Sequence, residues 1–182
     1  MTEYRYYPPD RIWNMIYQLG KTVKDFNPDC LVGISRGGLC VVRVLSDFLN
    51  NPNVFIIRTK YYKGIESTER KLEILQDVDE GLIRNKRVLI IDDIADTGIS
   101  MFKVLELIKK KGPDEVKTAT LHYKPSSKIK PDYFIEETGK WIIYPWEVYE
   151  TIKSIIQSTP KERLMQELAR TGIPKEIYKE FI

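Results

Sequence analysis

The sequence is poor in the residues that build disulfide frameworks and histidine-based sites. Its 182 residues include two cysteines, Cys30 and Cys40, and a single histidine, His122. Both cysteines lie within or beside apolar segments, so we expect two small core residues in a reducing, cytoplasmic setting. His122 stands next to a predicted strand, where a structural role is more usual than a catalytic one. The low cysteine content therefore disfavours a disulfide-stabilised secreted domain.

Other absences narrow the class of protein further. No apolar run approaches membrane-spanning length, and residues 1–10 are polar and broken by prolines, so we expect neither a membrane segment nor a signal peptide. The net charge is only +3, with basic and acidic residues interspersed, and nucleic acid is not an expected partner. A GxxxxGKS or GxxxxGKT phosphate loop is absent, which disfavours a P-loop nucleoside triphosphatase. The 42% apolar content fits a soluble globular domain.

The most informative sequence pattern lies in residues 87–100. Val88–Ile91 are apolar and mostly β-branched, which predicts a strand buried on both faces, of the kind found in parallel sheets. From Ser100 onwards, apolar residues recur at helical spacing. Residues 92–98, which contain three aspartates and a glycine, therefore form a strand-to-helix turn. In open α/β sheets, such turns are where ligands bind.

The chemistry of this turn suits a sugar phosphate. Gly98 permits a tight backbone and close approach. Backbone N–H groups at the helix start, with the hydroxyls of Thr97 and Ser100, form an anion cradle. Asp92 and Asp93 can accept from sugar hydroxyls or bind a hydrated hard cation. A buried strand ending in an ordinary polar turn is the alternative, but three acids at a strand end are costly unless they are used.

A second strand–turn–helix unit lies nearer the N-terminus. Cys30–Ile34 is predicted to be a short buried strand, and Ser35-Arg36-Gly37-Gly38 follows it before another apolar helix. The two glycines expose backbone N–H groups, and the guanidinium of Arg36 adds a forked donor. This turn also favours an anion, although two glycines before a helix are a weak signal on their own.

Residues 92–100 resemble the signature of the type I phosphoribosyltransferases, with Ser where many members carry Thr. In that family the segment holds the ribose 5-phosphate of 5-phosphoribosyl 1-pyrophosphate. The resemblance covers roughly residues 10–150. It implies that the ribose phosphate is bound by Asp92, Asp93, Ala95, Asp96, Thr97, Gly98, Ile99 and Ser100.

The turn at residues 35–38 is similar to the pyrophosphate-binding loop of this family, particularly in its bacterial xanthine-guanine members. The resemblance implies that Ser35, Arg36 and Gly37 bind pyrophosphate, and that the Ser35–Arg36 peptide bond is cis. The polar stretch Thr59–Lys71 is predicted to be a long loop, and the resemblance makes it the flexible catalytic loop. Arg70 matches a pyrophosphate-binding arginine of related enzymes. The alternative interpretation is that Arg70 is a solvent-exposed residue on one arm of a hairpin.

The resemblance also assigns a purine site. Lys124 follows a predicted strand and would be a surface lysine by default, but 6-oxopurine members of the family keep a lysine there. Trp141 corresponds to an aromatic residue that stacks on the purine, and the backbone of Ile142 to the group that reads its edge. Glu147 corresponds to an acid near the pyrophosphate and its metal. We therefore expect a Mg²⁺ cofactor, with Asp93 and Glu147 as its ligands.

These observations predict one α/β domain over residues 1–182. Its core, about residues 10–150, should be a mostly parallel central sheet flanked by helices, with a small hood. Residues 148–182 should form a helical C-terminal tail that serves packing or a homodimer. A helix N-cap is expected at Asp10, and a capping box with proline at the first helical position is expected at residues 159–162.

The function implied is purine salvage. A 6-oxopurine would displace pyrophosphate from 5-phosphoribosyl 1-pyrophosphate and yield a nucleoside 5′-monophosphate, with Asp96 as the catalytic residue at the purine N7. An adenine enzyme on the same scaffold is one alternative. A non-catalytic regulator that binds phosphoribosyl pyrophosphate is another, although residues 1–30 leave little room for a DNA-binding domain. A phosphoribosyl pyrophosphate synthetase would need a longer chain with two such domains.

Overall fold

The structure is a computed structural model that describes residues 3–63 and 70–182; of residues 62, 63, 70 and 71 it describes the backbone only. The chain divides into two compact units. The larger comprises Met15–Thr138, and the smaller comprises Met1–Asn14 with Gly139–Ile182. Within the described residues, no helix is long and apolar enough to cross a membrane. The division into a core and a tail within one domain stays a prediction.

The regular elements alternate between strands and helices through the larger unit, and helices dominate the C-terminal part. The first half of the chain contains β1 (Tyr4–Tyr6), α1 (Pro9–Val23), β2 (Cys30–Ser35), α2 (Gly38–Phe48), β3 (Val54–Lys63), β4 (Arg70–Gln76) and β5 (Arg87–Ile91). The second half contains β6 (Ile94–Ala95), α3 (Ile99–Lys109), β7 (Glu115–Tyr123), β8 (Tyr133–Glu137), β9 (Trp141–Ile143), α4 (Val148–Ser158), α5 (Lys161–Arg170) and α6 (Lys175–Tyr178).

The larger unit is built on a seven-stranded sheet. Its strands follow the order β4-β3-β2-β5-β7-β6, and β8 also pairs with β7. Every pairing in this sheet is parallel except the antiparallel pair of β3 and β4. The predicted mostly parallel central sheet is therefore confirmed.

Helices cover both faces of this sheet, because alternate residues of a strand point to opposite sides. On one face, Val32 and Ile90 belong to a buried cluster that includes Met101 and Val104 of α3. On the other face, a Cβ added to Gly33 would lie 2.8 Å from Cγ1 of Val42 in α2. Strand β5 is buried on both sides, since Val88, Leu89, Ile90 and Ile91 are all fully buried.

The smaller unit has its own two strands and its own core. β1 pairs in parallel with β9, and Tyr4, Arg5 and Tyr6 lie opposite Trp141, Ile142 and Ile143. Apolar side chains of the three C-terminal helices pack together with Ile143. The buried members of this cluster are Ile143, Val148, Ile152, Ile155, Leu164, Leu168, Ile173 and Tyr178. The predicted helical tail thus exists, and its role in packing or dimerisation stays a prediction.

Three local predictions were wrong at element boundaries. Thr59–Lys63 continues β3 rather than starting a loop, because it pairs with β4 from Thr59↔Ile74 to Lys63↔Arg70.

Helix α1 begins at Pro9, not after an N-cap at Asp10, since the fixed φ of proline suits a first helical position. The predicted capping box does not form, because Pro160 is itself the N-cap residue of α5 and no side chain caps that helix. Residues 64–69 of the predicted loop lie outside the described residues.

A buried hydroxyl ties β7 to the segment that enters β8. The backbone N–H and the hydroxyl of Thr118 both donate to Oδ2 of Asp132 at 2.8 Å, and the N–H of Asp132 donates to Thr118 Oγ1 at 3.0 Å. Thr120 lies two residues further along the same face and is also fully buried. Its Oγ1 has no hydrogen-bond partner within the part of the chain that the structure describes.

We expect Thr118→Val to lower the free energy of unfolding by about 1–3 kcal/mol, because Asp132 loses a donor and its N–H loses an acceptor. Thr120→Val is the matched control and should leave stability unchanged or raise it, since its hydroxyl is buried without a partner. Urea unfolding followed by circular dichroism measures both. Equal midpoints for Thr118→Val and the wild-type protein would contradict the assignment.

Candidate active site

Two turns meet at the carboxyl edge of the sheet. The first turn, residues 35–38, follows β2, and the second turn, residues 92–98, follows β5. β2 and β5 are parallel neighbours, with Gly33 opposite Ile91, so the turns that follow them begin side by side. A Cβ added to Gly37 would lie 2.4 Å from Oδ2 of Asp93, and one added to Gly38 would lie 2.5 Å from the carbonyl oxygen of Ile91. Contacts this short would force the Asp93 carboxylate or the backbone of Ile91 to shift. The two glycines therefore allow the first turn to pack directly on the second.

A cavity of about 570 Å³ opens at the second turn. This volume lies within the range of small-molecule sites. The predicted ribose-phosphate residues line it, with the exception of Asp93. The lining residues are Tyr61, Asp92, Ile94, Ala95, Asp96, Thr97, Gly98, Ile99, Ser100 and Met101.

One end of this cavity is suited to a phosphate. Gly98 has φ = +74° and is the N-cap residue of α3. The first backbone N–H groups of this helix lack partners within the helix, and its N-terminus carries partial positive charge. The hydroxyls of Thr97 and Ser100 border the same cavity. This arrangement of N–H groups and hydroxyls can hold a phosphate monoester.

The two adjacent carboxylates have different environments. Asp92 is half-buried and lines the cavity. Asp93 is 4% exposed, and its backbone N–H donates to Oδ1 of Asp92 at 2.9 Å. Burial, and secondarily the charge of Asp93, raises the pKa of the Cys40 thiol above its ordinary value. Cys40 is therefore protonated at neutral pH. The prediction of a core position is confirmed for Cys30, which is buried, and is wrong for Cys40, which is only partly buried.

Asp96 and Lys124 form an ion pair. Lys124 Nζ lies 2.8 Å from Oδ1 of Asp96, and the lysine side chain is only 14% exposed. The backbone N–H of Lys124 donates to the carbonyl of Ala95 at 3.1 Å, which connects the end of β7 to β6. The alternative of an ordinary surface lysine is therefore wrong. The pair presents a cationic donor and an anionic acceptor next to each other.

Two residues that are predicted to bind pyrophosphate belong to other elements: Arg36 lies in the first turn, and Arg70 begins β4. The Ser35–Arg36 peptide bond is cis, as the resemblance implied. Arg36 is exposed, and its carbonyl accepts from the N–H of Leu39 as α2 begins. The side chain of Arg70 lies outside the described residues, so its predicted contact with pyrophosphate stays a prediction.

Tyr61 is a lining residue that the sequence did not reveal. Its hydroxyl lies 3.4 Å from Oγ of Ser100, within hydrogen-bond distance. The prediction of a loop over Thr59–Lys71 sets no orientation for the tyrosines in it. The signal was the β-propensity of the Thr-Lys-Tyr-Tyr run, which continues β3 to the edge of the cavity.

The predicted purine residues Trp141 and Ile142, and the predicted metal ligand Glu147, belong to the smaller unit. Trp141 begins β9 with 49% of its surface exposed, whereas Ile142 is buried and its backbone pairs with Arg5. Glu147 is the N-cap residue of α4, but its side chain does not cap the helix. Among the described residues, no three side chains of His, Cys, Asp or Glu gather into a metal-binding group.

The comparisons with known proteins agree with the fold. The family model of the phosphoribosyl transferase domain matches residues 10–152. The hypoxanthine phosphoribosyltransferase of Salmonella typhimurium is 34% identical over 126 residues, which cover 65% of this chain and 70% of that protein. The xanthine-guanine phosphoribosyltransferase of Cereibacter sphaeroides is 31% identical over 65% of this chain and 68% of its own length. The chain thus spans about two thirds of the curated relatives it matches.

A solved structure extends the comparison. The purine phosphoribosyltransferase from Pyrococcus horikoshii superposes with a TM-score of 0.72 at 33% identity, covering 80% of this chain and 94% of that chain. This chain therefore belongs to the phosphoribosyltransferase family, and the resemblance found in its sequence is confirmed.

The contact of Gly37 with Asp93 can be tested directly. Gly37→Ala should weaken binding of 5-phosphoribosyl 1-pyrophosphate by about 10²-fold, because the added methyl group must displace the Asp93 carboxylate or the turn. Gly139→Ala is the matched control, since a Cβ at that position meets nothing within 4 Å. Calorimetric titration of both variants with the substrate measures the effect. Equal affinities in the two variants would show that the close packing of the turns is not needed.

Proposed function

We propose that this chain is a purine salvage phosphoribosyltransferase specific for 6-oxopurines. The base attacks C1′ of 5-phosphoribosyl 1-pyrophosphate, the bond from C1′ to the pyrophosphate oxygen breaks, and a nucleoside 5′-monophosphate and pyrophosphate form. The observation that carries the proposal is the pair of Asp96 and Lys124, whose charged atoms lie 2.8 Å apart beside the phosphate turn. The names of the relatives from Salmonella and Cereibacter support the same base class.

The ion pair matches one edge of a 6-oxopurine. O6 is an acceptor, and the ammonium of Lys124 has three donors and no acceptor. N7 lies beside O6 on the same edge, where the carboxylate of Asp96 can accept or share its proton. Adenine carries an amino donor at position 6, which the ammonium would face unfavourably. A site that leaves a buried polar group unpaired discriminates strongly against such an analogue.

The remaining residues act on the sugar and its two phosphate groups. Departure of pyrophosphate leaves an oxocarbenium-like ribose, and the negative charges of Asp92 and Asp93 favour that developing cation. Thr97, Ser100 and the N–H groups of α3 hold the 5′-phosphate, so the sugar is fixed while its C1′ bond breaks. We propose that Ser35, Gly37, Arg36 and Arg70 hold the leaving pyrophosphate, as the resemblance implies.

We also propose Mg²⁺ as cofactor, with Asp93 and Glu147 as its protein ligands. Carboxylate oxygens are suitable donors, and Mg²⁺ is usually held by one or two carboxylates plus substrate phosphates. When bound, the ion would supply positive charge to the leaving pyrophosphate. The protein residues position that group and the ribose.

The cytoplasmic location and the homodimer are further parts of the proposal. Both cysteines are free thiols, which suits a reducing compartment. The smaller unit exposes apolar side chains of the helical tail, including Tyr149, Phe181 and Ile182, which a second copy could cover. An adenine enzyme and a non-catalytic regulator remain the alternatives, and turnover of each base separates them.

The role of Asp96 gives a first test. Asp96→Ala should lower kcat about 10²–10⁴-fold if the carboxylate takes the N7 proton, with little loss of fold because the side chain is half exposed. Single-turnover kinetics with hypoxanthine measures the effect. Rates within threefold of the wild-type rate would remove Asp96 from the mechanism, whereas an active Asp96→Asn variant would favour hydrogen bonding over proton transfer.

The base assignment gives a second test. Lys124→Ala should selectively reduce 6-oxopurine use, while Trp141→Ala should weaken all purines alike, by about 1–3 kcal/mol of stacking. The measurement is kcat/KM for hypoxanthine and for adenine in the wild-type enzyme and both variants. A wild-type preference for adenine, or an unchanged hypoxanthine-to-adenine ratio in Lys124→Ala, would overturn the assignment and leave the phosphoribosyl part of the proposal intact.

A further inference from the structure

The hairpin of β3 and β4 extends beyond the strand that supports it. Strand β2 pairs with β3 as far as Ser35↔Arg58, whereas the pairing of β3 with β4 continues to Lys63↔Arg70. A register shift between Arg58 and Thr59 marks the point where this extension begins. We call the extension, residues 59–63 and 70–74, the overhang. A two-stranded hairpin is only marginally stable by itself, so the overhang needs support from another element.

Helix α3 supports the overhang through a lysine. Lys103 Nζ donates to the carbonyl oxygen of Leu72 in β4 at 2.9 Å, and this hydrogen bond is partly buried. The residue that accepts it is only 4% exposed. A charged donor makes a stronger hydrogen bond than a neutral one, and partial burial protects the bond from screening by salt. The Lys103 bond therefore fastens β4 to α3.

This bond lies next to the cavity at the second turn. Leu72 is the register partner of Tyr61, which lines that cavity. The hydroxyl of Tyr61 lies 3.4 Å from Oγ of Ser100. Ser100 and Lys103 are three residues apart in α3, so they lie on the same face of the helix. One face of α3 thus contacts both strands of the overhang, and the Lys103 bond fixes the strand opposite Tyr61.

A second lysine makes a contact of the same chemistry away from the cavity. Lys111 Nζ donates to the carbonyl oxygen of Val78 at 2.9 Å and lies 2.7 Å from Oδ2 of Asp77. These three residues follow α3 and β4, and they are not among the residues that line the cavity. Loss of the Lys111 contacts should therefore affect stability without moving the cavity wall.

We propose that Lys103 is a positioning residue for the phosphoribosyl substrate, because it holds the overhang against α3 and so keeps Tyr61 in the wall of the cavity. The inference rests on the proposed function, in which this cavity holds 5-phosphoribosyl 1-pyrophosphate. Lys103 does not line the cavity itself, so it acts through Leu72 and Tyr61. Loss of its ammonium group should displace the overhang and weaken substrate binding more than it slows the chemical step.

The kinetic test compares Lys103→Met, Lys103→Arg and Lys111→Met with the wild-type enzyme. Methionine keeps an unbranched side chain and good helix propensity but removes the donor, whereas arginine keeps a cationic donor. Lys103→Met should raise KM for 5-phosphoribosyl 1-pyrophosphate about tenfold and change kcat by less than about threefold, because one charge-assisted hydrogen bond is lost. The Kd measured by calorimetry should rise by a similar factor. Lys103→Arg should bring KM back to within about threefold of the wild-type value.

Lys111→Met is the matched control for a general loss of stability. It should lower the midpoint of urea unfolding, as Lys103→Met does, but leave KM for the same substrate unchanged. Hydrogen exchange supplies a readout that needs no turnover. Backbone amides of the overhang should exchange about tenfold faster in Lys103→Met than in the wild-type protein, while amides of β5 keep their rates. In Lys111→Met the overhang should exchange as in the wild-type protein.

Three kinetic results would overturn the inference: an unchanged KM in Lys103→Met, an equal rise of KM in Lys111→Met, or a failure of Lys103→Arg to restore KM. Exchange of the overhang at the wild-type rate in Lys103→Met would also overturn it. No turnover of any purine by the wild-type enzyme would instead overturn the proposed function. The exchange rates and the calorimetric Kd would then still decide whether Lys103 positions the overhang for the substrate.

Discussion

The packing of Gly37 against the buried carboxylate of Asp93 is the contact on which the site depends. It brings the turn after β2 against the turn after β5, and a side chain at Gly37 would force the Asp93 carboxylate to shift. A carboxylate that is 4% exposed is costly unless its surroundings compensate for the lost hydration. Its burial at this junction is therefore a constraint that fixes where each turn can lie.

With the two turns fixed, the rest of the site follows from the sheet. Asp92 follows strand β5 and lines the cavity, and the left-handed Gly98 turns the chain into α3, whose first residues Ile99 and Ser100 line the same cavity. β7 ends one strand away and supplies Lys124, which pairs with Asp96. The parallel sheet thus places the start of α3 and the Lys124–Asp96 ion pair at the same carboxyl edge, where α/β proteins bind ligands.

Much of this was predictable because the signals were local. The apolar run 88–91 predicted a buried parallel strand, and the spacing of acids, glycine and hydroxyls in 92–100 predicted the turn. The ion pair of Lys124 with Asp96 was not predictable, because it joins residues 28 positions apart through the register of β6 and β7. The place of Tyr61 in the cavity depended likewise on a strand pairing that composition alone did not reveal.

The proposed reaction couples a 6-oxopurine to phosphoribosyl pyrophosphate. The most direct measurement is pyrophosphate release from 5-phosphoribosyl 1-pyrophosphate and Mg²⁺ when adenine, hypoxanthine, guanine and xanthine are supplied separately. We expect rapid release with at least one 6-oxopurine and release near the base-free background with adenine. If adenine were the one base that caused release, the role of Lys124 would be contradicted. If none of the four bases caused release above the base-free background, the proposed reaction itself would be contradicted.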